Sequence, residues 1–288
     1  MKLAISGQLL SHTHDLSSII DIFRSLEVDA IDLWPENIPG GATSEERARY
    51  EGKDIEQVRD LLQARQIRVA CVTIGGMAIK KASEEGLAYA TKALIATVDA
   101  AAVLGSSLVN CYLEGFSPDF FVEFMRPVVD YAASKNIMVA LENEAHDASG
   151  TAEGLKAILK HINSPYFGTS YDPCNYYQAN EEPFPRAYEI LKEHIRYVHL
   201  KGGCRYDPQY RPGDHCGGTL RDTINAHIGY TTITDGVANA DGILRRLVKD
   251  GYTGYITVEP HVPVEQALAY YRADMAYLHS RLQELKQL

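Results

Sequence analysis

Two hydrophobic rhythms alternate along the chain. Short apolar and β-branched runs, KLAIS (2–6), DAIDLW (29–34), RVACVTI (68–74), SLVNCYL (107–113), IMVALEN (137–143), FGTSYD (167–172), RYVHL (196–200) and YITVE (255–259), read as buried strands. Between them apolar residues return every three or four positions, the spacing of a helix with one buried face. Ile19, Ile20, Phe23 and Leu26 predict a helix over 16–26, and Ile55, Val58, Leu61 and Leu62 support one over 44–65. Phe121, Phe124, Met125, Val128 and Ala132 continue a helix opened by Ser117-Pro118, and Leu155, Ile158, Leu159 and Ile162 mark one over 151–162. Further helices are predicted over 83–104, 184–195, 239–250 and 263–285, with Gly105 and Gly251 as stops.

Eight strands alternating with eight helices predict an α/β fold, either an open doubly wound sheet or a closed (β/α)8 barrel. No strand leads into GxGxxG or GxxxxGK[ST], the phosphate-cradling signatures of open-sheet nucleotide binders. A (β/α)8 TIM barrel is therefore expected. Hydrophobic residues, 45% of the chain, are spread evenly without a linker, so one domain over 1–288 is expected, with a long connection at about 202–238.

Charge and cysteine usage narrow the function classes. With 28 Lys+Arg against 38 Asp+Glu the net charge is −10, which argues against nucleic acid as the principal partner. The apolar runs are short for a membrane span or a secretory signal, so a soluble, cytoplasmic protein without a membrane partner is expected. The cysteines Cys71, Cys111, Cys174, Cys204 and Cys216 show no CxxC spacing and read as reduced thiols.

In a parallel barrel every strand's carboxyl end opens on the same mouth, where such folds keep their sites. His12 and His14 follow the first strand, Trp34 closes the second, Thr73 and Gly75-Gly76 close the third, and Asn110 and Tyr112 the fourth. The last four strands bring Glu142, Asp172, His199 and Glu259. Three carboxylates and one imidazole on neighbouring strand ends suit a divalent metal. Taken singly, each has an ordinary reading as a helix cap or ion-pair partner; the metal reading rests on the four together. Lys201, two residues beyond His199, points to the same side of its strand and reads as a donor to substrate or to a carboxylate. Trp34 reads equally as core or as a stacking surface, and Glu144 as solvated or ion-paired.

ALEN with Glu142, YDPCN with Asp172 and Asn175, VHLKGG with His199 and Lys201, and GYTGYITVEPH with Glu259 resemble the xylose isomerase-like TIM barrels. The likeness is to the sugar phosphate isomerase/epimerase group, with its ketose 3-epimerases, inosose dehydratases and hydroxypyruvate isomerases, and it spans all eight units. It implies one divalent ion, usually manganese with cobalt or magnesium as alternatives, held by Glu142, Asp172, His199 and Glu259. It also implies Glu142 and Glu259 as acid and base on a small sugar or cyclitol, through a metal-stabilised enediolate. Lys201 and His146 join them as catalytic candidates, and Trp34, His12, Asn175, His261 and Arg205 as substrate-binding ones. Arg211, His215 and Arg221 add a candidate lid or anion grip, and a homodimer or homotetramer is expected.

Two departures bear on substrate: Asn175 stands where ketose 3-epimerases carry histidine, and the 202–238 stretch is longer and more aromatic. A lyase of the same fold, acting on an inosose or a 3-oxo-glycoside, is the alternative. An AP endonuclease IV-like repair enzyme is disfavoured by Asn175 and by the lack of a DxH pair after His199. A non-catalytic scaffold is disfavoured by the retention of all four ligands.

Overall fold

The computed structural model describes residues 1–41, 43–47, 49–74, 83–205 and 228–287. Its strands are β1 (Lys2–Ser6), β2 (Ala30–Leu33), β3 (Arg68–Thr73), β4 (Leu108–Cys111), β5 (Met138–Glu142), β6 (Phe167–Tyr171), β7 (Ile195–Leu200), β8 (Gly202–Arg205), β9 (Ile228–Thr231) and β10 (Tyr255–Val258). The helices of the first half are α1 (Gln8–Ser11), α2 (Leu16–Ser25), α3 (Ser44–Arg47), α4 (Ile55–Ala64), α5 (Glu84–Leu104) and α6 (Pro118–Ser134). The second half adds α7 (Ala152–Ile162), α8 (Pro173–Gln178), α9 (Tyr188–Leu191), α10 (Ala240–Lys249) and α11 (Val264–Leu285). Strands β1, β10, β7, β6, β5, β4, β3 and β2 hydrogen-bond in that order into a closed parallel barrel, the single-domain (β/α)8 TIM barrel expected.

Alternation along the strands divides the core. Ile5, Ile31, Val72, Val109, Leu141, Val198 and Ile256 join the helices in the main hydrophobic cluster. Intervening positions form two clusters of their own, Ala4 with Ala30 and Ala70, and Cys71 with Leu108, Ala140 and Tyr197. Side-chain caps start the helices: Asp15 accepts from Ser18 N, Ser83 from Gly86 N, Ser117 from Phe120 N and Thr151 from Gly154 N. By length and composition α5 is apolar enough to cross a bilayer, but its residues Ala90, Leu94, Val98 and Ala101 are buried in the barrel's own core.

Two predicted helices are broken. Among its described residues the span 44–65 holds α3 and α4 as separate helices, because Tyr50 and Lys53 leave the helix to tie off the end of β2. Tyr50 Oη donates to the carbonyls of Leu33 (2.9 Å) and Thr73 (2.7 Å), and Lys53 Nζ to those of Ile38 (3.2 Å) and Arg47 (2.6 Å). Asp54 then restarts the helix by accepting from Gln57 N at 3.0 Å. The span 184–195 is divided into a kinked π-type segment (Pro183–Ala187), α9 and a 3-10 turn, since Pro185 drives Phe184 into extended backbone (φ −146°, ψ 133°).

The 202–238 stretch, read as one long connection, has structured ends: β8 and β9 form an antiparallel hairpin pairing Gly202 with Thr231 and Gly203 with Tyr230. A Cβ on Gly202 would lie 1.8 Å from Thr232 O, so the glycines of VHLKGG let the hairpin close against the chain. Arg211, His215, Arg221 and the Gly75-Gly76 pair lie outside the described residues. Cys71, Cys111 and Cys174 are buried free thiols, whereas Cys204 is disulfide-bonded, a departure from the reduced state expected.

Asp274 on α11 anchors the chain just past the hairpin. It is 1% exposed, and its Oδ1 accepts from Ile233 N at 2.7 Å while Oδ2 has no hydrogen-bond partner. Burial pushes its carboxyl from 3.8 up to about 7, against the pull of that hydrogen bond. Between about pH 4 and 7 the folded state keeps a proton that the unfolded state releases, so stability falls as pH rises through that window, by about 4 kcal/mol at most. Asp274→Asn keeps an acceptor for Ile233 N without the charge. Its stability relative to wild type should therefore rise between pH 4 and pH 8 in urea unfolding; an unchanged difference at the two pH values refutes the account.

Candidate metal centre

Glu142 is the last residue of β5, Asp172 and Glu259 follow β6 and β10 directly, and His199 is next to last in β7. All four are buried, and each offers one ligand atom within 4.8 Å of the others. The lateral register that aligns Thr257 with His199 and Glu142 with Ser170 carries these side chains to one level of the mouth.

Each ligand is held by neighbours. Asp172 caps α8, its Oδ1 accepting from Cys174 N (2.8 Å) and Asn175 N (3.1 Å). Asn143 clasps the Asp172 backbone, accepting from its N and donating to its O, both at 2.9 Å. Glu142 Oε2 accepts from Asn110 Nδ2 at 2.7 Å, and Oε1 from Asn175 Nδ2 at 3.4 Å. Lys201 Nζ lies 2.6 Å from Asp172 Oδ2 and donates to Glu259 Oε2 at 3.3 Å. His199 Nδ1 faces Glu142 Oε2 at 3.1 Å and Glu259 Oε2 at 3.4 Å, while its Nε2 lies 3.0 Å from Asp32 Oδ2.

The charges interlock. Burial disfavours the His199 imidazolium, yet the carboxylates of Glu142 and Glu259 hold its pKa well above the usual histidine range. Burial likewise opposes the Lys201 ammonium, which Asp172 and Glu259 hold well above the usual lysine range. For Glu259 the balance runs the other way: burial resists ionisation, but His199 and Lys201 outweigh it and keep the carboxyl well below its ordinary range. Burial pushes the Asp32 carboxyl up, partly offset by its bond to His199.

These residues fit a divalent cation. His199 Nδ1 and Asp172 Oδ2 are buried without a hydrogen bond, and Asp172 Oδ2 has the Lys201 ammonium beside it only as an ion pair. Buried polar atoms ordinarily find partners, and a cation supplies one to both. Three carboxylates and an imidazole are hard-to-borderline donors suited to Mg, Mn or Co.

A cavity of about 450 Å³ opens over the cluster, lined by Gln8, Trp34, Tyr112, Glu144, Tyr230 and His261 among others. Trp34 is 5% exposed and stacks on Tyr112 with ring centroids 6.2 Å apart, so it is both a core residue and a wall of the cavity. Asn175 lines the cavity too, but its amide is already engaged with Glu142 and Asn143 O. His146 stands on the wall 3.7 Å from Glu144 Oε2, and His261 3.4 Å from Glu259 Oε2 with its ring against Tyr230. Glu144, partly exposed, has its carboxyl pushed up to about 9 by burial and by the Glu142 carboxylate. His12 is exposed at the end of α1, and Arg205 is exposed at the end of β8; neither lines the cavity.

Asp32, Asn143 and Tyr230 were not singled out from sequence. Asp32 had a legible signal: a lone acid inside the run AIDL, on the same strand face as Trp34. Tyr230 had none, since its place depends on the hairpin.

A closed eight-stranded barrel with its acidic cluster at the carboxyl ends of the strands is the arrangement of TIM-barrel sites generally. Residues 20–281 match the xylose isomerase-like TIM barrel family, and the chain belongs to it. No curated protein matches the chain in sequence. Among solved structures, a D-tagatose 3-epimerase-like protein superposes with TM-score 0.75 at 19% identity, covering 100% of this chain and 99% of its own. A xylose isomerase-like TIM barrel protein from Mycobacterium smegmatis in complex with magnesium gives 0.72 at 18%, covering 99% and 97%. The 3-keto-D-glucoside 4-epimerase from E. coli gives 0.69 at 16%, covering 97% and 99%. At such identities the likeness establishes the fold, and function has to be argued from the site.

Proposed function

We propose that the protein is a divalent-metal-dependent isomerase or epimerase of a small sugar or cyclitol. The observation that carries this reading is the gathering of Glu142, Asp172, His199 and Glu259 within 4.8 Å of one another, with Glu142 and Glu259 lining the cavity. These four would hold the ion, with Mn²⁺ as the proposed metal; the magnesium bound by the M. smegmatis protein is consistent with a hard cation in this fold. When bound, the ion supplies Lewis-acid stabilisation of negative charge developing on a carbonyl oxygen.

The chain's own residues do the rest. One of Glu142 and Glu259 takes the proton from the carbon next to the carbonyl, and the other returns a proton to the opposite face or to the adjacent carbon. Asn110 and Asn175 fix the Glu142 carboxylate from both oxygens, so its position does not depend on substrate. Lys201 bridges Glu259 and Asp172 through ion pairs to both. Trp34 and Tyr112 give an apolar wall to a ring, and Gln8, Glu144 and Gln178 give hydroxyl partners.

A lyase on the same scaffold is the second reading, favoured by one observation: His146 and His261 both line the cavity and would supply a base separate from the glutamates. Incubating the Mn²⁺-loaded protein with a panel of ketoses and inososes in heavy water tests both. The expected result is carbon-bound deuterium in two interconverting sugars. A product that has lost water or an aglycone supports the lyase, and no exchange with any panel member refutes the isomerase reading.

A further inference from the structure

Asp32 has no exposed surface, and among the described residues its ion pair is with His199 alone. Its two oxygens are divided: Oδ1 accepts from Thr73 Oγ1 at 2.7 Å, and Oδ2 faces His199 Nε2 at 3.0 Å. β2 and β7 are not neighbours in the barrel, so this contact crosses the interior. Burying a carboxylate there is unfavourable unless a partner compensates, and packing alone would be served better by an apolar side chain.

An imidazole can present either of two nitrogens, and which one carries the proton is set by what the other meets. Here the Nε2 edge meets an acceptor, while the Nδ1 edge has no hydrogen bond and faces Glu142 and Glu259. With the acceptor removed, the ring is free to turn or to place its N–H toward the other carboxylates. Thr73 prevents the same freedom one step back, because its hydroxyl pins the carboxylate plane of Asp32.

We propose that Asp32 is a positioning residue: by accepting the Nε2–H of His199 it holds the ring with the Nδ1 lone pair aimed into the cluster with Glu142, Asp172 and Glu259. This rests on the metal reading above. It assigns the otherwise unexplained acid of β2 to the metal site, through Thr73, Asp32 and His199 in series, and to no contact with substrate.

The test is the affinity of the purified full-length protein for Mn²⁺ and Co²⁺, measured by competition with a chelating dye, together with the visible spectrum of the Co²⁺ form. Asp32→Leu removes the acceptor while keeping the branched outline and is expected to weaken binding about 10–100-fold and to alter the cobalt bands. Asp32→Asn keeps an oxygen for Nε2–H and an amide for Thr73, and is expected to recover most of that loss. Thr73→Val should weaken binding in the same direction by less, and carries the test if Asp32→Leu does not fold by circular dichroism. Wild-type affinity in Asp32→Leu means that the residue only packs, and Asp32→Asn as weak as Asp32→Leu means that charge, not orientation, matters; either overturns the proposal while leaving the metal reading standing. A wild-type protein that binds neither ion overturns both.

Discussion

Glu142→Gln is expected to lower turnover about 10²–10⁴-fold on whichever sugar exchanges deuterium in the wild type, the range for losing a positioned proton-transfer group. Gln matches Glu in outline, although one of the two donors, Asn110 Nδ2 or Asn175 Nδ2, then meets an NH2 group in place of an acceptor. What disappears is a carboxylate that, in the proposed reaction, both takes or gives a proton and contributes one anionic ligand. The two losses separate experimentally, since metal content by elemental analysis reports the second and deuterium uptake at saturating Mn²⁺ reports the first. Exchange within about twofold of wild type at full metal occupancy would remove Glu142 from the chemistry, given the range above.

Lys201→Met should be the most damaging change to the metal-free protein. Its side chain is 2% exposed, and its ammonium is the cation between Asp172 and Glu259. Removing one partner from a buried ion pair leaves the other uncompensated, at a cost of about 3–5 kcal/mol. The cluster sharpens the effect, because among the described residues four buried carboxyl groups, those of Asp32, Glu142, Asp172 and Glu259, have Lys201 and His199 as their buried cationic partners. Saturating Mn²⁺ should restore stability by mass action, about 2.7 kcal/mol at a hundredfold excess over Kd. Denaturant unfolding with chelator and with Mn²⁺ measures both; a chelated Lys201→Met protein as stable as wild type would show that the ammonium is not needed to hold the acids.

These expectations place function and stability on the same residues, a common cost of gathering like charges at a barrel mouth. Lys201 and His199 hold the acids together, and a cation bound as proposed would take over part of that task. Metal dependence of stability is thus expected alongside metal dependence of activity.

Much of this site was legible in the chain. VALEN, TSYDPCN, YVHLKGG and YITVEPH each end an apolar run on a residue that a buried strand does not otherwise tolerate, and the four meet as read. The roles of the peripheral candidates were less legible. Trp34, Asn175, His146 and His261 reach the cavity whereas His12 and Arg205 do not, because a loop residue's direction follows from turns and packing and not from its distance along the chain from a ligand. The helix breaks at Tyr50 and Lys53 were invisible for a related reason. Their hydrogen bonds go to carbonyls of β2 and β3 and of the segments beside them, partners that a periodic pattern does not encode.

The sequence by itself determined the alternation of eight strands with helices, the closed parallel architecture that this alternation favours, and the order in which the four acidic and imidazole side chains arrive at one rim. Hydrophobic periodicity is local and survives reading along a line. Only the tertiary structure decided that Asp32 meets His199 across 167 residues, that the Gly202-Gly203 pair admits a hairpin, and that Tyr230 comes to stand against His261. Those contacts depend on barrel closure and lateral register, which bring together groups that share no local pattern.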